Sequence, residues 1–158
     1  MGAGRRPGPG AVDRGALRPA RARLAQRISG RWGNTHVTAL GLAQLYAALR
    51  EDAAVWPWLG AALHDVQAQA ADGTDQVFGL PAVVPGAAAK QGWANGSADD
   101  PADAVVNSTG FVAGDRYVVV LLTEGDGNAV ECDSRGFHAG QAAVVTAMAG
   151  ALAPSLTA

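Results

Sequence analysis

The chain has 158 residues, 49% apolar, 16% charged and 6% aromatic, which suits one domain with a packable core and excludes wholesale disorder. Its single cysteine, Cys132, excludes an intrachain disulfide framework, and no unbroken apolar run reaches the length of a membrane-crossing helix. The net charge of −2 hides a split: residues 1–31 hold eight arginines against Asp13, and the remainder holds four basic residues against thirteen acids.

The first 30 residues read as a separate basic arm, and 31–158 as the folding domain. The arm opens Gly-Ala-Gly-Arg-Arg-Pro-Gly-Pro-Gly, which cannot hold a helix, whereas Arg14–Arg27 has helical composition. No apolar stretch follows the charges, so the arm does not read as a secretory signal. Such a segment suits nucleic acid or an anionic membrane. The lack of aromatic residues between the arginines favours a solvated tail over a base-stacking arm.

Thr38 is placed to cap a first helix, with Leu42, Leu45, Tyr46 and Leu49 at helical spacing and an end near Arg50. Trp56-Pro57 opens a second, whose apolar face is expected to be Trp58, Leu59, Ala62, Leu63 and Val66 and which fades before Asp72-Gly73. Phe78–Val84 is short and apolar, broken by Pro81 and Pro85. A strand follows over Ala87–Trp93, then a polar loop over Asn95–Asp103. Ala104–Val112 and Arg116–Thr123 form a hairpin across Ala113-Gly114-Asp115. The second of these strands is nearly all apolar and should be covered on both faces. After an acidic loop, Glu124–Ser134, a closing helix spans about Gly136 to Leu152, with Phe137, Val144, Val145, Met148 and Leu152 expected to face inward. Helices, then strands, then a helix predict an α+β fold in which an antiparallel sheet packs against helices.

Lys90 is the only lysine. It stands in an apolar run two residues before Gly92, where another group can approach the backbone closely. A cation there can hold an anionic substrate or tune a neighbouring hydroxyl; the plainer alternative is a strand-end lysine in water. His36, His64 and His138 have no metal-ligand spacing and read as surface residues. Asp126-Gly-Asn128 starts like a calcium loop but lacks the later Gly and Glu. Cys132 sits between two acids, which disfavour a thiolate, and reads as a plain loop cysteine. No metal or cofactor is expected. None of the five serines begins a Ser-x-x-Lys pair or occupies a Gly-x-Ser-x-Gly elbow.

Four segments occur in a familiar order: Trp32-Gly-Asn-Thr-His-Val-Thr-Ala39 with the helix Gly-Leu-Ala-Gln-Leu-Tyr-Ala-Ala-Leu-Arg50, Lys90-Gln-Gly-Trp93, Asn107-Ser-Thr-Gly-Phe-Val112, and Asp115-Arg-Tyr-Val-Val-Val-Leu-Leu-Thr123. Over about 31–152 the chain resembles the C-terminal half of the class A β-lactamase-like serine hydrolases, which share their fold with penicillin-binding proteins and D-Ala-D-Ala carboxypeptidases. The resemblance implies acyl transfer on β-lactam or peptidoglycan-type amides through an activated serine. It makes Lys90 the cation facing a substrate carboxylate and Gly92 the opening along which substrate lies. It makes the Trp93 backbone N–H an oxyanion donor.

Gln91 departs from the family's Thr or Ser, a hydroxyl that helps hold the carboxylate. The Ser-x-x-Lys and Ser-Asp-Asn-type motifs are missing, and the arm contains no glutamate for deacylation. The expectation is a fold incomplete at its N-terminus and, without an attacking group, inactive. The alternatives are a non-catalytic ligand- or partner-binding module, and nucleic-acid binding through the arm. The resemblance also implies that the Arg116–Thr123 strand lacks partner strands, leaving a sheet edge through which the chain associates with a complementary surface. Relatives of this kind work in the cell envelope or beyond it.

Overall fold

A computed structural model describes residues 37–95, 104–125 and 137–156. The basic arm, His36, most of the polar loop after Asn95, the Asp126-Gly-Asn128 segment and Cys132 lie outside the described residues.

Thr38 takes an extended conformation and its hydroxyl accepts the Gly41 N–H at 3.0 Å, starting α1, Ala39–Glu51. Asp52 ends it and starts the next turn. Its carboxylate accepts the Ala54 and Val55 N–H groups, and its carbonyl accepts the Trp56 N–H. The second helix, α2, runs Trp56–His64 with proline in the first turn. It stops short of the expected end because the chain folds back on itself: Ala70 N–H bonds Thr74 O at 2.8 Å, Gln76 N–H bonds Ala68 O, and Gly73 supplies the turn at φ 86°. One helical turn, α3, covers Leu80–Val83, its first N–H accepted by the Ser108 hydroxyl.

The sheet has the order β1 (Ala88–Asn95), β2 (Ala104–Val112) and β3 (Tyr117–Leu121), with both pairs antiparallel. Lys90 pairs with Thr109, Gly92 with Asn107, and Thr109 in turn with Val120. The β2–β3 turn places Ala113, Gly114 and Asp115 at φ 54°, 64° and 64°. The α+β architecture expected from the sequence is therefore present, with both faces of the sheet covered by helices.

One face meets α1 and α2, with α1 over β3 and α2 over β1. Phe111 centres it, edge-on to Tyr46 at 5.5 Å and to Trp56 at 4.9 Å, with Leu63 and Ala88 buried alongside. The opposite face meets α3 and the closing helix α4, Ala139–Leu156, around Leu80, Val106, Val119, Leu121 and Val145.

Three expectations about helix faces are corrected. In α2, Trp58 is 61% exposed, and the inward face is Trp56, Leu59 and Leu63. In α1, Leu45 is exposed and the neighbouring Tyr46 is buried. In α4 the buried stripe is Ala142, Val145 and Ala149, while Val144, Met148 and Leu152 face outward. Alanines let the helix axis approach the sheet closely, so bulk did not decide the face. This helix, free of charged residues, is also long and apolar enough by length and composition to cross a membrane, although its apolar run is interrupted by Gln141 and Thr146.

Gly110 sits at φ 152°, and a methyl group there would run into the Ala88 carbonyl oxygen of the paired strand. Gly110→Ala is expected to destabilise the domain by about 3 kcal/mol or more, through backbone strain added to the clash. Urea unfolding of the two proteins checks it; an unchanged midpoint would contradict the assigned pairing.

Candidate functional site

Strand side chains alternate between faces, and partners directly opposite share a face. Ala88 and Phe111 lie on the face under α1 and α2, so Lys90 with Thr109, and Gly92 with Asn107, lie there too. Cover is good at Ala88 and then fails. A side chain at Gly92 would meet nothing within 4 Å, and Lys90 and Ala94 are exposed. Among the described residues β1 is an outer strand of the sheet, so this strip lies at its edge.

Lys90 Nζ hydrogen-bonds the Gln91 carbonyl. Partial burial of its stem on the sheet pulls the amine below the usual lysine value of 10.5, because desolvation disfavours the charged form. Thr109 donates its hydroxyl hydrogen to the Lys90 carbonyl at 3.3 Å, and its oxygen lies 2.9 Å from the Tyr46 phenol. Since Thr109 has one hydrogen to give, Tyr46 is the donor to it. Burial pushes the Tyr46 phenol above 10.0, partly offset by the Thr109 contact. The Asn107 side-chain oxygen accepts the Thr123 N–H at 2.9 Å. The strip thus presents one cation, with Thr109 and the Tyr46 that bonds it buried beside it on the same face.

Gln91 and Trp93 occupy the other face. Gln91 is 2% exposed and its amide donates to the Gln76 and Phe78 carbonyls, tying β1 to the loop before α3. The Trp93 ring packs edge-on against Phe137 at 5.9 Å. Of the four residues singled out, then, Lys90 and Gly92 share the open strip. Gln91 stitches the fold, and Trp93 reaches the Lys90 side only through its backbone.

Ser108 is fully buried on the α3 face, its hydroxyl occupied by Leu80 N–H. Thr109, although beside Lys90, has its hydroxyl hydrogen held by a strand carbonyl and is not poised to attack. His64 reaches Asp115 at 3.1 Å on the surface, consistent with its expected exposure. His138 corrects the surface reading. It is fully buried where the chain enters α4, between Phe137 and the buried helix stripe, and neither ring nitrogen has a hydrogen-bond partner. Among the described residues no group of three or more His, Cys, Asp or Glu could hold a metal.

Tyr46, Thr109 and Asn107 were not singled out for chemistry in the sequence. The alternation in Asn107-Ser-Thr-Gly-Phe111 already puts Asn107, Thr109 and Phe111 on one face. What it does not supply is the pairing that brings Thr109 to Lys90, or the helix that brings Tyr46 to Thr109. No protein-family model matches the chain. No curated protein and no solved structure matches it either.

Tyr46→Phe removes one buried hydrogen bond while leaving Thr109 its carbonyl partner, and should cost about 1 kcal/mol at neutral pH. A phenol whose folded value is raised contributes stability that is present below pH 10.0 and lost as pH climbs through the folded value, because the unfolded chain ionises first. Loss of stability above pH 10.0 should therefore be shallower in Tyr46→Phe, as measured by denaturant unfolding across alkaline pH.

Proposed function

We propose that this chain supplies the carboxylate-holding wall of a β-lactamase-like serine-hydrolase fold. It binds β-lactam or D-Ala-D-Ala-type acyl donors without turning them over. The observation that carries the reading is the open strip of β1. The sole lysine of the chain lies exposed on an outer strand, two residues from a glycine with empty space above it and on the same face. A ligand laid along the strand would place its carboxylate on the Lys90 ammonium, while Gly92 leaves room for the ligand's body.

Binding rather than hydrolysis follows from the groups available. The sequence contains no Ser-x-x-Lys pair, and among the described residues no serine faces Lys90. Oxyanion donors without an attacking group give at most a small residual rate. Gln91, where a relative would carry a hydroxyl, is engaged by the loop before α3, so the carboxylate would depend on Lys90 more heavily. This is the same chemistry that a non-catalytic binding module would use.

Benzylpenicillin and an acyl-D-Ala-D-Ala peptide, titrated by NMR, should shift amides at Lys90, Gly92 and Asn107. Lys90→Ala should weaken binding by about 2- to 10-fold, the range for a partly screened ion pair. Affinity should fall as pH rises through the lowered value of the amine, before the usual 10.5, since only the ammonium holds the anion. A chromogenic cephalosporin should be turned over no faster than by Lys90→Ala. Unaltered affinity in that variant would overturn the assignment of Lys90, and lysine-dependent turnover would overturn the inactive reading.

A further inference from the structure

We propose that Lys90 is also an acylation site: its amine attacks the carbonyl of a penicillin lying along β1 and keeps the ring-opened acyl group as a stable amide. This chemistry rests on the binding reading above and gives the bound donor a fate. Lys90 is the only lysine of the chain, and the eleven arginines carry guanidinium groups that stay protonated and do not act as nucleophiles.

The surroundings of the amine favour attack. Among the described residues no carboxylate pairs with Lys90 to hold its proton. Nζ donates to the Gln91 carbonyl, the next residue of the strand, which keeps the amine against β1. Gly92, on the same face, has nothing within 4 Å of where a side chain would stand, so the body of a donor fits beside Nζ. Burial of the lysine stem lowers the amine below its usual value and so raises the share present as free base. The nearest hydroxyl in the register does not compete. Thr109 gives its hydrogen to the Lys90 carbonyl, and its oxygen takes the Tyr46 phenol. Ser108 points to the opposite face and is held by the Leu80 N–H.

The step balances without a co-reactant. The ammonium first loses a proton to water and becomes the free amine. Nζ then bonds to the lactam carbonyl carbon, the ring C–N bond breaks, and the departing ring nitrogen takes the hydrogen that Nζ sheds. The products are an amide on Lys90 and a secondary amine in the opened ligand, and nothing is oxidised or reduced. Release of ring strain drives the step, so an unstrained D-Ala-D-Ala amide binds without reacting. An amide at this position meets no activated water or hydroxyl, so each chain reacts once and does not turn over.

Benzylpenicillin incubated with the full chain should leave one penicilloyl group per chain, located on Lys90 by peptide mass mapping. The adduct should resist neutral hydroxylamine, which releases an ester but not an amide. Its initial rate of formation should exceed that of benzylpenicillin with Nα-acetyl-lysine amide by about tenfold or more, the gain from holding donor and amine together. The rate should climb with pH and level off before the usual 10.5, opposite in direction to the affinity, which needs the ammonium. Lys90→Arg keeps the positive charge, removes the nucleophile and should form no adduct. Benzylpenicillin that shifts the Gly92 and Asn107 amides yet leaves no adduct would overturn acylation and leave the binding reading standing. So would an adduct formed equally by Lys90→Arg, or a rate no better than that of the free lysine amide. Neither amide shifts nor adduct would overturn both.

Discussion

Where Lys90 meets Thr109, the antiparallel register of β1 and β2 settles the side of the sheet that every neighbouring residue occupies. Side chains alternate along each strand, so a slip of one residue would exchange the two faces wholesale. The glycine next in line, Gly110, holds that register, because the Ala88 backbone occupies the space a side chain would need. From this pairing follow the burial of Phe111 among Tyr46 and Trp56, and the buried row of Val106 and Leu121 beneath α4. The exposure of Lys90 beside an empty Gly92 follows from it too.

The two faces are finished to different standards. On the α3–α4 side, loop and helix are stitched to the sheet by polar side chains with single tasks. Ser108 accepts from Leu80, Thr146 accepts from Gly79, and Gln91 donates to the loop carbonyls. On the α1–α2 side the cover over β1 ends after Ala88, and the hydrogen bonds that continue, Tyr46 to Thr109 and Thr109 to the Lys90 carbonyl, lie beside the lysine. The binding proposed above draws on that order, since a strand already ordered loses little further freedom when a ligand arrives.

The same sheet ends in two dissimilar outer strands. β1 carries a lysine, one of the usual protections against edge pairing. β3 has no such protection, and its neighbour α4 turns its bulkier side chains outward because its alanines serve the close approach to the sheet. The two edges thus differ in side-chain charge and not in backbone geometry.

Much of this was legible in the residues themselves. The Thr38 cap, the Trp56-Pro57 helix start, the Ala113-Gly114-Asp115 turn and the apolar β2 and β3 segments are local signals. They arise from hydrogen bonds and dihedral preferences within a few residues, and they appear where the sequence places them. Beyond the sequence's reach were the inward faces of α2 and α4, the burial of His138 and the loop carbonyls that Gln91 bonds. Hydrophobicity ranks Met148 and Trp58 as core, but α4 packs closely on the sheet through alanines and α2 turns Trp56, Leu59 and Leu63 inward instead of Trp58, choices that depend on a surface contributed by distant residues. The chain by itself determined its elements and its lone amine. Only the tertiary structure, by pairing Lys90 with Thr109 and bonding Tyr46 to Thr109, decided which side chains of different elements meet.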